Sequence, residues 1–385
     1  MALTREELTR YSRHLVLPEV GLAGQEKLKN AKVLVVGTGG LGSPILLYLA
    51  ASGIGTIGLV DFDTVDETNL QRQILFDMGC VGESKSSIAK QRLTALNPYI
   101  TVHEYNTAID QDNALEMIGP YDIVVDGTDN FTSRYLVNDA CVLLGKPYIY
   151  GSVFRFEGQV AVMNALLSEG QRGACYRCLF PEPPPAELVP NCSEGGVLGV
   201  LPAIIGSLQA TETIKIICGI GQSLSRQLIL YNALDLDFKK VNLVKDPSCP
   251  ICSEKPTITE LHAIEVSCQA KTEDERVSVL SVLALQERLD KQEPLQLLDV
   301  RQDYERDIVH IGGKHIPLQQ LEAMTASDLC MFDPQVPLVV YCKAGARSEK
   351  AITRLQELRD FKEIYSLKGG VLKWVEDIDP SLNSY

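Results

Sequence analysis

The chain has no apolar run long enough to cross a bilayer, and its start joins no basic flank to an apolar stretch of signal length. Both absences point to a cytoplasmic protein, in which its 11 cysteines stay reduced and act as ligands or nucleophiles rather than disulfides. Basic residues are in deficit: 36 Lys and Arg stand against 50 Asp and Glu, a formal net charge of −14. That balance argues against nucleic-acid binding, and any polyanionic substrate must be met by local cations and backbone amides. Histidine is scarce, with five in 385 residues, and none occupies a hydride-transfer position. No internal repeat is visible.

What is present is enough for more than one average domain, with 45% hydrophobic residues to fill a core. Lys32–Gly37, Thr56–Asp61, Tyr121–Asp126, Lys146–Tyr150 and Gln159–Met163 read as strands, and Leu41–Ser52 and Phe131–Leu144 as helices. This alternation predicts an α/β fold, a Rossmann-like, mostly parallel sheet with helices on both faces. Pro181, Pro183, Pro184, Pro185 and Pro190 mark an extended loop. Residues 1–255 form one expected domain and the polar stretch 256–275 a linker. Residues 276–385 form a second, smaller α/β domain, with strands at Gln296–Val300 and Pro337–Tyr341.

Four cysteines form two Cys-x-x-Cys pairs, Cys175/Cys178 and Cys249/Cys252. Four thiolates satisfy a tetrahedral metal with no open position for chemistry, so the pairs read as a structural zinc site stapling distant segments. A redox pair or incidental surface cysteines are the alternatives.

Gly37, Gly39, Gly40 and Gly42 lie in a Gly-x-Gly-x-x-Gly pattern directly after a strand and opening a helix. Such glycines permit a tight turn, and the helix start presents amides to phosphate. Alone, this suits a dinucleotide-binding dehydrogenase, and Asp61 at the next strand end suits a ribose hydroxyl in either reading. Asn69, Arg72, Gln73 and Lys85 then supply amides and two cations, and Asp129 falls past a third strand end, where a carboxylate could hold magnesium. A hydride-transfer site needs no such cluster, whereas attack on a triphosphate does. The set therefore favours ATP.

Two further cysteines stand in glycine-bearing loops. Cys192, at the end of the proline-rich loop, is a candidate nucleophile without a visible activating base; a structural role is its alternative. Cys342 follows a strand and begins Cys-Lys-Ala-Gly-Ala-Arg-Ser, leading into a helix. Backbone amides and the helix start there would stabilise a thiolate or persulfide, with Arg347 a nearby cation.

The run Tyr11–His14, the glycine loop, Asp61 to Asp63, Asn69 to Gln73, Lys85, Asp129, Asn130 and both cysteine pairs resemble the adenylating enzymes of molybdopterin and thiamin sulfur transfer. These are bacterial relatives of ubiquitin-activating enzymes. The resemblance implies a homodimer with one structural zinc per chain, and Arg13 reaching the partner subunit's ATP. It also implies that Asp61 binds ribose, Arg72 and Lys85 the phosphates, and Asp129 magnesium, with Asp63 and Asn130 in the same site. Residues 275–385 resemble a rhodanese domain, through Leu297–Arg301, His310–Pro317, the Cys342 loop and Leu367–Trp374. The Asp299/Arg301 pair and Trp374, the only tryptophan, read as structural. One departure from the family pattern is Ile311-Gly312-Gly313-Lys314 after His310.

Joined, the two resemblances imply a molybdopterin-synthase type adenylyltransferase and sulfurtransferase. Its first domain would use ATP and magnesium to adenylate the Gly-Gly terminus of a ubiquitin-like sulfur carrier. Cys342, loaded by a cysteine desulfurase or by thiosulfate, would then deliver persulfide sulfur, with Cys192 or an outside thiol resolving the product. The same chemistry could serve thiamin, cysteine or tRNA thiolation. An NAD-dependent dehydrogenase and a non-catalytic docking scaffold are the readings from other classes.

Overall fold

The computed structural model describes residues 2–167, 170–183, 196–263 and 277–383. The chain divides into two compact units, Met1–Cys268 and Gln269–Tyr385. Residues 264–276, most of the expected linker, lie outside the described residues.

The first unit is built on one eight-stranded sheet. Its strands are β1 (Lys32–Val36), β2 (Thr56–Val60), β3 (Thr101–Tyr105), β4 (Ile123–Asp126), β5 (Tyr148–Phe154), β6 (Glu157–Met163), β7 (Gln227–Asn232) and β8 (Asp237–Asn242). They lie in the order β3-β2-β1-β4-β5-β6-β7-β8. β1 to β5 are parallel to their neighbours, and β6 to β8 extend the sheet antiparallel. Chain length explains the change: only Arg155 and Phe156 separate β5 from β6, too few residues for a parallel crossover. Arg155 makes that turn at φ +53°.

β1 is buried on both faces, as a near-continuous apolar run must be. Val33 and Val35 join Ile45, Leu46 and Leu49 of the helix Gly42–Ser52 and Ile205 of the helix Leu201–Cys218. Leu34 and Val36 point the other way, into a core with Tyr135, Leu136 and Ala140 of the helix Phe131–Leu143. The chain runs outward from β1 to β3 and then returns to β4 on the other side of β1. That reversal opens a crevice beyond the carboxyl ends of β1 and β4.

The second unit has a five-stranded, wholly parallel sheet in the order β11-β10-β12-β13-β9. Here β9 is Val279–Leu280, β10 Gln296–Asp299, β11 Lys314–His315, β12 Leu338–Tyr341 and β13 Ile364–Leu367. Leu338 and Val340 of β12 feed one core, while Val339 and Tyr341 feed the other, which also holds Trp374. Asp299 and Arg301 are both fully buried and paired at 2.6 Å. The Gly312-Gly313 departure has a local use: both residues take positive φ, and a Cβ on Gly313 would lie 2.4 Å from the Leu297 Cβ.

Candidate functional site

The crevice at the reversal is a cavity of about 950 Å³. Its lining brings together Gly37, Gly39, Gly40, Asp61, Asp63, Arg72, Gln73, Lys85, Asp129 and Asn130, which are scattered over almost a hundred positions of sequence. Asn69, Gly42 and Arg13 do not line it. Asn69 sits at the end of a short 3-10 turn, and its carbonyl accepts from the Arg72 and Gln73 amides at 3.1 and 2.9 Å. Arg13 is exposed on the helix Ser12–Leu15, clear of its own chain's cavity.

The glycines of the loop do different jobs. Gly37 has φ +90°, and a Cβ there would lie 2.7 Å from the Gly127 carbonyl oxygen at the end of β4. A Cβ on Gly42 would lie 2.0 Å from the Gly37 carbonyl oxygen, so the helix start packs directly on the turn. Gly39 and Gly40 instead face the cavity: a Cβ on Gly39 would meet Gln73 at an ordinary 3.4 Å, and one on Gly40 would press on Pro202 at a tight 3.3 Å. Asp61 closes the loop: its Oδ2 accepts from the Thr38 amide and hydroxyl at 2.8 and 2.7 Å, and its Oδ1 from the Asp63 amide at 3.0 Å.

Lys85 is the first residue of the helix Lys85–Leu96, capped by Ser84, and its buried ammonium meets Asp63 at 3.0 Å. Arg72 donates to the Thr68 carbonyl at 3.2 Å. Gln73 is buried, and its Oε1 has no hydrogen-bond partner. Asp129 is exposed, and Asn130 caps the helix Phe131–Leu143 by accepting from the Ser133 amide at 2.8 Å. The arrangement offers amides and cations to a polyanion, with the exposed carboxylate of Asp129 beside them, which is what phosphate transfer chemistry requires.

A buried network beneath this wall has no counterpart in the motif reading. Asp126, at the end of β4, accepts from the Thr128 amide and hydroxyl at 2.9 and 2.6 Å and from the Tyr148 hydroxyl at 2.5 Å. Arg134 approaches the same carboxylate at 3.3 Å, between the rings of Phe131 and Tyr150, and lines the cavity. Burial pulls the Arg134 guanidinium pKa down, but the surrounding Tyr150 and Asp126 outweigh it, so the group stays charged.

The four paired cysteines converge. Their sulfurs all lie within 4.8 Å of one another, with separations of 3.6 Å for Cys175–Cys249, 3.4 Å for Cys178–Cys252 and 3.9 Å for Cys175–Cys178. Four sulfurs about 2.3 Å from one tetrahedral ion would stand about 3.8 Å apart, so the donor set fits such a metal. Arg177, inside the first knuckle, forks onto Asp139 at 2.7 to 3.0 Å and ties the cluster to the helix Phe131–Leu143. Tyr135 of that helix donates to the Phe180 and Glu182 carbonyls, which border the cavity.

In the second unit Cys342 sits just past β12, almost fully buried. The Gly345 amide points at its sulfur from 3.1 Å, and Gly345 at φ +121° introduces the helix Ala346–Leu358. The loop is braced by Ser348, which donates to the Gly345 carbonyl at 2.6 Å. Arg347 forms a two-pronged pair with buried Glu305, at 2.6 and 2.7 Å. Its charge is thus largely balanced, and the sulfur has the Gly345 amide and, at 3.7 Å, the Ser348 hydroxyl beside it. Cys192 lies outside the described residues. Among the described residues, no helix is long and apolar enough to cross a membrane.

Residues 11–251 match the ThiF family, and residues 281–377 match the rhodanese-like domain. MoeZ of Mycobacterium tuberculosis, described as a probable adenylyltransferase/sulfurtransferase, is 44% identical over 388 residues, covering all of this chain and 97% of that protein. A sulfur carrier protein adenylyltransferase of Thermus thermophilus is 52% identical over 268 residues, 70% of this chain and 99% of that one. Among solved structures, E. coli MccB crystallised with ATP superimposes with a TM-score of 0.52 at 29% identity, over 60% of this chain and 69% of that one.

Proposed function

The chain belongs to the ThiF family and is an adenylyltransferase and sulfurtransferase, and from that premise we propose how its residues divide the work. The observation that carries the reading is the cavity in which the glycine loop, Asp61, Arg72, Lys85 and Asp129 meet. ATP lies there with its ribose on Asp61 and its phosphates on the loop amides, Arg72, Gln73 and Lys85. Lys85 exchanges Asp63 for phosphate oxygen. Asp129 and Asn130 would hold magnesium, which when bound neutralises the departing pyrophosphate.

The co-substrate is the Gly-Gly terminus of a ubiquitin-like sulfur carrier serving molybdopterin synthesis. Its carboxylate attacks the α-phosphorus, pyrophosphate leaves, and a carrier acyl adenylate remains. The protein's contribution is positioning and charge neutralisation. Cys342, carrying a persulfide from a desulfurase or thiosulfate, attacks the acyl carbon and displaces AMP. A second thiol, Cys192 or an external one, then attacks the Cys342 sulfur, releasing carrier thiocarboxylate and leaving a disulfide to be reduced. The Gly345 amide supports this role for Cys342, because it stabilises sulfur-borne negative charge.

The metal held by Cys175, Cys178, Cys249 and Cys252 is zinc, structural because four thiolates leave no open position. The protein acts as a cytoplasmic homodimer, and exposed Arg13 serves the partner subunit's cavity. The relative that matches only 70% of this chain supports the first unit being an adenylating enzyme in its own right.

The test is the intact mass of a Gly-Gly-ended carrier after incubation with the protein, magnesium-ATP, thiosulfate and a thiol reductant. Replacement of one oxygen by sulfur, absent without ATP, is the expected result. Absence of both this change and ATP-dependent pyrophosphate release with every carrier tested would overturn the reading.

A further inference from the structure

Resting on that adenylation reading, we propose that Arg134 binds the carrier's terminal carboxylate and holds it for attack on ATP. Among the described residues three cations line the cavity: Arg72, Lys85 and Arg134. Arg72 and Lys85 follow β2, whereas Arg134 follows β4, across β1 from them. The two phosphate-side cations leave the third to meet a different anion.

The contacts of Arg134 with its own chain are long ones, with the Tyr176 hydroxyl also on the guanidinium. Its hydrogen bonds to the Asp126 carboxylate and the Thr128 carbonyl are both 3.3 Å, long for a guanidinium. Asp126 is meanwhile served at 2.5 to 2.9 Å by Tyr148 and Thr128. The chain's structural arginines look different. Arg177 forks onto Asp139 at 2.7 to 3.0 Å, and Arg301 onto Asp299 at 2.6 and 2.9 Å. A guanidinium carries five donors, and a carboxylate takes two of them side by side. Phe131 and Tyr150 fix the guanidinium at 5.5 and 5.3 Å from their ring centres, so little ordering remains to be lost on binding.

The wall around Arg134 fits a slender, uncharged chain with one anionic end. Tyr135, Val153, Phe154, Leu179 and Phe180 line it, with the small hydroxyls of Thr132, Ser133 and Ser152 and no cation besides Arg134 among these residues. A carboxylate approaching a triphosphate meets repulsion, and a buried cation on the carboxylate's side offsets it where low dielectric makes the effect largest. In the step so assisted, a carboxylate oxygen forms a bond to the α-phosphorus as the bond to the bridging oxygen breaks. Pyrophosphate takes the electron pair, and there is no net oxidation or proton transfer. Arg134 then faces the acyl oxygen of the adenylate.

The experiment compares two carriers, one ending in the natural carboxylate and one in a carboxamide. Binding is measured by calorimetry with a non-hydrolysable ATP analogue present. The wild-type protein should prefer the carboxylate by about 10- to 100-fold, the size of one charge-assisted pair. Arg134→Gln should lose that preference, and Arg134→Lys should keep part of it. Both should bind the ATP analogue alone within about threefold of wild type. Equal binding of the two carriers by wild type overturns the proposal without any variant, and so does an undiminished preference in Arg134→Gln. Failure of wild type to adenylate any Gly-Gly carrier removes the functional reading itself, an outcome the pyrophosphate assay separates from the other two.

Discussion

Substituting alanine at two glycines of one loop should produce opposite defects. At Gly42 a new Cβ would lie 2.0 Å from the Gly37 carbonyl oxygen and 2.8 Å from its carbon, both backbone atoms. Contact distance is about 3.5 Å, so the loop and the helix Gly42–Ser52 must separate by more than about 1 Å. That helix carries Ile45, Leu46 and Leu49, all fully buried, and cannot move freely. Overpacking of this kind costs about 3 kcal/mol, which lowers the melting temperature of a unit this size by roughly 5–10 °C. At Gly39 the nearest atom is the end of the Gln73 side chain at 3.4 Å, and the backbone is not in the left-handed region. Gly39→Ala should therefore melt within about 2 °C of wild type. Its methyl would stand where a phosphate must approach the loop amides, so its KM for ATP in pyrophosphate exchange should rise tenfold or more. Calorimetric melting and the exchange assay, run on both variants, check the pair. A Gly42→Ala protein as stable as wild type would refute the packing argument, and unaltered ATP use by Gly39→Ala would refute the phosphate cradle.

The cysteine cluster should hold about one zinc per chain by elemental analysis, and Cys249→Ser should lose most of it with a lower melting temperature. A fully folded, metal-free protein would contradict this. Cys342→Ala should keep pyrophosphate exchange and lose sulfur transfer from thiosulfate, which a cyanide-coupled thiocyanate assay reads directly. Arg347→Met removes the cation paired with the buried Glu305 carboxylate, which keeps the Gln302 amide at 3.0 Å, and should destabilise the second unit by about 3 kcal/mol. A denaturant melt would show this, while Glu305→Gln with Arg347→Met should recover part of the loss. Arg72→Ala and Lys85→Ala should each reduce pyrophosphate release by at least about tenfold.

The strand and helix positions that were legible lay in short apolar runs closed by glycine or a capping residue, whereas β3, β7, β8 and the helix Leu201–Cys218 were not read. The helix Phe131–Leu143 is one example, announced by Asn130, which caps it. The site was legible where chemistry and spacing coincide, in the Cys-x-x-Cys pairs and the glycine loop. Arg134 escaped notice because an isolated arginine in a helix looks like surface charge until tertiary structure buries it. Arg347 was legible as a cation but not as a balanced one, since its partner Glu305 lies forty-two positions away. The antiparallel edge from β6 to β8 was hidden for different reasons: the apolar pattern of β6 carries no direction, and β7 and β8 were not read as strands, β8 being exposed along its whole length.

By itself the sequence determined the α/β class, the glycine turn and the pairing of four cysteines as two Cys-x-x-Cys knuckles, and it marked Cys342 as a candidate nucleophile. These are properties of residues near one another along the chain, where spacing alone constrains geometry. Tertiary structure decided which distant groups meet: that Asp61 closes the glycine loop, that Asp63 holds Lys85, and that Asp126 and Tyr148 set the floor under Arg134. The reversal of strand order between β1 and β4 brings them together, and no local pattern encodes it.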